Sequence, residues 1–353
     1  MRRFIFLTSP SIIGIGLAIA AGSIAVGQAQ EPSASQDRFT ERVDVARILI
    51  DARVLDDAGR PVLGLNAADF EVTIDGTPVR VESAQWVGEQ PPVNAPLPAT
   101  SVVGVVAPPP PGRLVVFLIQ KDLQPLRAKG LLRWLQVNEP LLASLTTGDR
   151  AAVLSFDSHL KIWLDFTSDV DRVRTVLARD VMFKNPASLA RGPEPSLLAR
   201  LSQQQARKSA TIEDALRLIG KALEPLPGSK SVVLVGYGFG RLTHTGESPM
   251  MPEYDAARDA LQAARATLLC LDVSFATYHS LAAGLNTVAA DTGGIVSSLY
   301  VSPQQAVERV VHALTGSYVL FAEKPPFEPG VHRIAVRLTR ANGTVLARGS
   351  YTE

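Results

Sequence analysis

From residue 114 onward, short apolar runs alternate with longer stretches whose apolar residues recur at three- and four-residue spacing. The runs predict buried strands and the spaced stretches predict amphipathic helices. "RLVVFLI", "DRAAVLSFD", "LKIWLDF", "KSVVLVG", "TLLCLDVSF" and "GIVSSLY" are of the first kind. "DVDRVRTVLARDV", "TIEDALRLIGKALEPL", "EYDAARDALQAARA", "LAAGLNTVAADTGG" and "SPQQAVERVVHALTG" are of the second. "LRAKGLLRWLQVNEPLLASL" is also helical in period, with Pro140 kinking or splitting it. Ser168 or Asp169 is placed to cap one helix. Ser302 is placed to cap another, with Pro303 at its first position. This alternation predicts an α/β fold: a doubly wound, mostly parallel sheet with helices on both faces. A hairpin at Ser158-His159 adds one antiparallel edge strand. Residues 184–209 break the pattern and read as a long mobile insertion near the strand mouths.

The flanking regions follow a different rule. Residues 43–87 alternate apolar and polar positions in short runs, with turn signals at Asp57-Ala58-Gly59 and Asp75-Gly76. That stretch is too short for a sandwich of its own. The tail, residues 317–353, is again β in pattern, and Asn342-Gly343 predicts a hairpin there. The two ends are therefore expected to pair into one added β-sandwich, with the α/β domain of residues 114–316 inserted between them. Residues 88–113 are dense in proline and read as a linker.

The N-terminus opens with Arg2 and Arg3, a long apolar stretch, and a small-x-small Gly27-Gln28-Ala29 before a polar segment. Residues 1–29 thus read as a secretory signal peptide and 30–42 as a polar linker. The other reading is an uncleaved anchor, since the stretch is nearly long enough to span a bilayer. The membrane would then be met only through that segment. Either way the chain is expected to be exported, periplasmic or secreted.

Composition narrows the function classes. In 353 residues, 46% are hydrophobic and 20% charged, with net charge +1, so a sizeable core is possible and no basic nucleic-acid face is present. The single cysteine, Cys270, sits among apolar neighbours and reads as a core residue rather than a reactive thiol. The five histidines show no zinc-type spacing. No nucleophile elbow is present. Gly236, Gly238 and Gly240 follow a strand but do not lead straight into a helix, so they form a loop rather than a nucleotide fingerprint. Tyr237 and Phe239 are expected to be exposed on that loop. Asp165, Asp169 and Asp171 read as helix N-terminal acids. Trp86, Trp134 and Trp163 read as packing residues.

The run "VVFLI" stops on Gln120, and the sheet mouth should then hold Gln120, Asp122 and Gln124, where open α/β sheets keep their ligand sites. "LLASLTTGDRAAVLSFDS", "SATIEDALRLI", "GSKSVVLVG" and "LNTVAADTGGIVSSL", in that order, resemble the von Willebrand factor A (vWA) superfamily. With the flanking "LNAADFEVTIDG" and "SYVLFAEK", the chain resembles acidobacterial VWFA-related domain proteins. The resemblance implies a protein-binding module and a metal-ion-dependent adhesion site. In the family, an Asp-x-Ser-x-Ser loop, a Thr and a third-loop Asp hold a divalent cation, which a partner carboxylate completes. Here Gln120 stands at the first Asp, and Asp122 and Gln124 stand at the serines. Thr211 matches the Thr, with Ser209 close by, and Gly236 and Tyr237 stand where the third Asp should be. Carboxamides offer a hard cation little compared with carboxylates. The expectation is a degenerate site without a cofactor, Asp122 and Thr211 being the only candidate ligands for Mg²⁺. The expected function is a non-enzymatic module binding a protein at the cell envelope. The alternatives are a metal-dependent adhesion protein, or a hydrolase using Asp122 and Asp157.

Overall fold

The computed structural model describes residues 46–88, 112–244 and 248–352. The expected signal peptide and polar linker, and nearly all of the Pro-rich linker, lie outside these residues.

β5 (Leu114–Gln120) is buried at every position, as a strand covered on both faces must be. Val115, Phe117 and Ile119 enter one core; Leu114, Val116 and Leu118 enter the other. Around β5 lie β6 (Arg150–Phe156), β7 (Leu160–Thr167), β8 (Lys230–Gly236), β9 (Ala266–Asp272) and β10 (Ile295–Ser298). They form a six-stranded sheet in the order β10-β9-β8-β5-β6-β7. Only β7 runs antiparallel, paired with β6 through the Asp157–His159 turn. This is the doubly wound order, and the chain reverses its direction of winding between β5 and β8.

One face of the sheet packs α1 (Pro125–Val137), α2 (Glu139–Ala143), α3 (Val170–Thr175) and α9 (Pro303–Thr315). Pro140 divides α1 from α2 as the sequence required. The other face packs α6 (Ile212–Leu223), α7 (Tyr254–Ala263) and α8 (Ala282–Thr292). A short α4 (Val181–Phe183) ends the segment that began with α3, and α5 (Gln203–Ala206) lies in the insertion.

The added β-sandwich is built from both ends of the chain. One sheet runs β13-β1-β11-β4, where β1 is Arg47–Leu55, β4 Val81–Gly88, β11 Gly316–Glu323 and β13 Thr344–Ala347. The other runs β14-β12-β2-β3, where β2 is Phe70–Ile74, β3 Thr77–Val79, β12 Val331–Leu338 and β14 Ser350–Thr352. Alternate residues Ile48, Ile50, Ala52 and Val54 of β1, together with Tyr318 and Leu320 of the neighbouring β11, pack against Phe70, Val72 and Ile74 of β2 in one apolar core.

Four sequence expectations need correction. Asn342-Gly343 does not close a hairpin, because β12 and β13 lie in different sheets. The turn instead carries the chain across the sandwich, where β13 pairs with β1. The insertion 184–209 is not a loose loop: Leu197 and Leu201 are buried in the core, and the Leu197 amide and Ser196 hydroxyl donate to Asp165 at 2.7 and 2.6 Å. Asp165 is therefore an anchor rather than a helix N-terminal acid; Asp169 alone caps α3. Phe239 is buried rather than displayed.

Candidate functional site

The C-terminal ends of β5 and β8 open at the switch point, and the side chain that fills the crevice is Gln120. Its amide nitrogen donates to the Gly238 carbonyl at 2.9 Å. Its Oε1 accepts from the amides of Tyr237 at 3.0 Å and Gly238 at 3.2 Å. A neutral side chain thus ties the β5 end to the β8 loop. The position before that loop, Gly236, explains itself through this contact: a Cβ there would lie 2.5 Å from Gln120 Oε1. Gly238, at φ +131, could not carry a side chain either, because a Cβ would meet Leu281 at 2.4 Å. The amide at the first-loop position and the missing side chain in the third loop are one packing solution.

Asp122 lies just beyond the crevice. Its carboxylate accepts from the Gln124 amide at 3.0 Å and is ion-paired with Arg127 in the first turn of α1. Burial opposes its ionisation, but the Gln124 amide and the Arg127 guanidinium outweigh that and hold its pKa below the usual carboxylate range. Arg127 also lies flat on the Tyr237 ring, 3.9 Å from its centre. Gln124 occupies the N-cap position of α1 without a side-chain capping bond. Thr211 caps α6, its Oγ1 accepting from the Asp214 amide at 3.1 Å. The nearby Ser209 hydroxyl is spent on the Leu160 amide and the Ala206 carbonyl. Glu213 on α6 accepts from the Gly240 amide at 2.9 Å, which pins the far side of the glycine loop.

Further along the mouth, Asp157 pairs with Lys161 at 2.6 Å and faces Lys121 at 3.6 Å. Burial opposes its ionisation too, yet Lys161 and the Ser158 amide hold its pKa at about 2. A carboxyl so acidic stays ionised and makes a poor general acid. Lys121 donates in turn to the Val181 carbonyl at 2.9 Å. At the β9 end, Asp272 accepts from the Ser274 amide and meets His279 Nε2 at 2.9 Å. Lys129 lies 4.4 Å from the centre of the Phe275 ring, which meets Tyr300 edge-on. Among the described residues, no cluster of three or more His, Cys, Asp or Glu side chains gathers as metal ligands.

Of the five predicted positions, Gln120 and Tyr237 touch each other, as do Asp122 and Gln124; Thr211 serves its own helix. Sequence reading missed Arg127, Lys121 and the apolar rim. Ten large apolar side chains are exposed among the described residues, and six of them surround the mouth: Leu123, Leu126, Phe183, Leu242, Tyr278 and Val301. Leu123 is the barest of all, at 98% exposed. It sits in a polar loop before Pro125, outside any helical or strand period, and that was the available signal.

No protein-family model matches this chain, and no curated protein does. Among the solved structures that resemble it are two titled as von Willebrand factor A domains and a minor pilin. One from Catenulispora acidiphila is 12% identical, with TM-score 0.42 over 83% of this chain and 74% of that one. The vWF domain of the type V pili tip protein Mfa5 from Porphyromonas gingivalis is 11% identical, with TM-score 0.37 over 57% and 95%. The PilB minor pilin from Streptococcus sanguinis is 11% identical, with TM-score 0.35 over 76% and 89%. The fold is defined by its own strand order, β10-β9-β8-β5-β6-β7. No described helix is long and apolar enough to cross a membrane.

Proposed function

We propose that this chain is an exported, non-enzymatic protein-binding module whose contact face is the strand-mouth end of a vWA-like domain, working without a bound cation. The observation that carries this reading is the apolar rim. Among the described residues, six of the ten exposed large apolar side chains lie on the loops after β5, β8, β9 and β10, the first turn of α1 and the end of α4. Large apolar side chains left exposed together at one end of a domain are the kind of surface that a protein partner covers. Tyr278 within that rim, and Tyr237 and Arg127 beside it, are of the residue types that anchor protein interfaces.

The donors at the crevice do not suit a hard divalent cation, which wants several oxygens, carboxylates among them. Gln120 Oε1 already accepts two amides, Asp122 is neutralised by Arg127, and Thr211 is committed to Asp214. Arg127 supplies the positive charge that a metal would otherwise bring. Export is supported by the N-terminal Arg pair and apolar stretch.

The test is capture of partners from a cell-envelope extract by the full chain and by a Leu123→Glu/Tyr278→Glu variant, each with and without chelator. The variant should lose the captured protein, while chelator should change nothing. Capture that survives the variant, or that requires Mg²⁺ or Mn²⁺, contradicts the proposal.

A further inference from the structure

At the opposite end of the sheet, a cavity of about 200 Å³ lies where the sandwich meets the α/β domain. β1 contributes Asp51 and Arg53, β8 Lys230, β9 Thr267, and the turn before β9 Arg265. Three cations and one carboxylate therefore face it, a surplus of two positive charges. Asp51 is already taken, bound by Arg265 at 2.8 and 2.5 Å. Arg53 and Lys230 are both more than nine-tenths buried, and among the described residues neither forms an ion pair. Arg53 donates only to neutral oxygens, the Ala313 carbonyl at 2.9 Å and Thr267 Oγ1 at 2.8 Å. Lys230 donates to the Ala264 carbonyl at 2.9 Å.

Buried charge without a counter-charge is costly. The strain registers in both groups: burial lowers the pKa of Arg53, and burial followed by the charge of Arg265 lowers that of Lys230, with Asp51 and the exposed Glu224 only partly offsetting it. A smaller adjoining cavity shares Asp51, Arg265 and Thr267 and adds Arg348, whose buried Nε has no partner.

We propose that this seam cavity binds a tetrahedral oxyanion, phosphate or sulfate, between Arg53 and Lys230. A dianion matches the charge surplus. Guanidinium and ammonium groups are the usual hosts for such oxygens. The cavity has room for several waters, and hence for such an ion. Because Arg53 comes from the sandwich and Lys230 from the α/β sheet, the ion would clip one to the other. The ion could be free, or the end of a larger ester; the chemistry of recognition is shared.

The experiment is calorimetry and thermal unfolding of the full chain with inorganic phosphate, inorganic sulfate and glycerol phosphate, ionic strength being held constant with sodium chloride. Saturable heat and a saturable rise in Tm with inorganic phosphate or sulfate are expected. Equal binding of the ester points to a terminal group on a larger molecule, and its exclusion points to the free ion. Lys230→Met should weaken binding by about tenfold or more. Arg309→Gln, at a separate surface cavity, should leave it unchanged. Absence of saturable heat in the unaltered chain overturns the proposal, as does a linear rise in Tm from salt exclusion alone. Undiminished binding in Lys230→Met overturns it as well.

Discussion

Gln120 is the residue on which the mouth turns. It closes the switch-point crevice with three hydrogen bonds to the Tyr237–Gly238 backbone, and its side chain occupies the space above Gly236. Gly236→Ala should therefore destabilise the chain by about 1–3 kcal/mol through overpacking. The same change in a Gln120→Ala background should cost clearly less, so that a double-mutant cycle by urea denaturation shows coupling. Additive losses would mean that the two positions are independent. Asp157 offers a second residue-scale check. Its folded-state pKa of about 2 lies below the ordinary aspartate value, so its contribution is present above that ordinary value and lost as pH falls through 2. Asp157→Asn should flatten the loss of stability between roughly pH 4 and 2 in thermal melts. An unchanged acid limb would show that Lys161 and Lys121 do not hold it.

At the element scale, Thr211 acts as the cap of α6. Thr211→Ala should cost about 0.5–2 kcal/mol of stability. Thr211→Asp, which caps as well, should restore most of it. If Thr211→Ala leaves chemical denaturation unmoved, the cap assignment fails. The elements themselves were legible because their apolar periods are clean: β5, β8 and β9 read as uninterrupted buried runs, and Pro140 divides its helix visibly. The insertion 184–209 and the Asn342-Gly343 turn were misread because what orders them is tertiary. Asp165 holds the first from 31 and 32 residues away. Pairing of β13 with β1 pulls the second across the sandwich. Phe239 was misjudged in the same way, since a glycine-rich loop gives no local sign that its aromatic turns inward.

For the whole molecule, the doubly wound order and the two-ended sandwich were both written in the alternation of periods. At the mouth the sequence shows only which residues follow the strands. How they interact, Gln120 tying the β5 end to the β8 loop and Arg127 neutralising Asp122, depends on side chains meeting across the fold and could not be read from spacing. The same holds for the apolar rim, whose members lie on five different connections. One end of the sheet thus displays apolar surface around a closed crevice, while the other is clasped to the sandwich through Arg53 and the Arg265–Asp51 pair. The central claim is that protein contact at the mouth needs no cation. Isothermal calorimetry of the full chain with Mg²⁺, Mn²⁺ and Ca²⁺ tests it most directly. The account predicts no saturable heat for any of the three. Saturable binding that disappears in Asp122→Ala would contradict it.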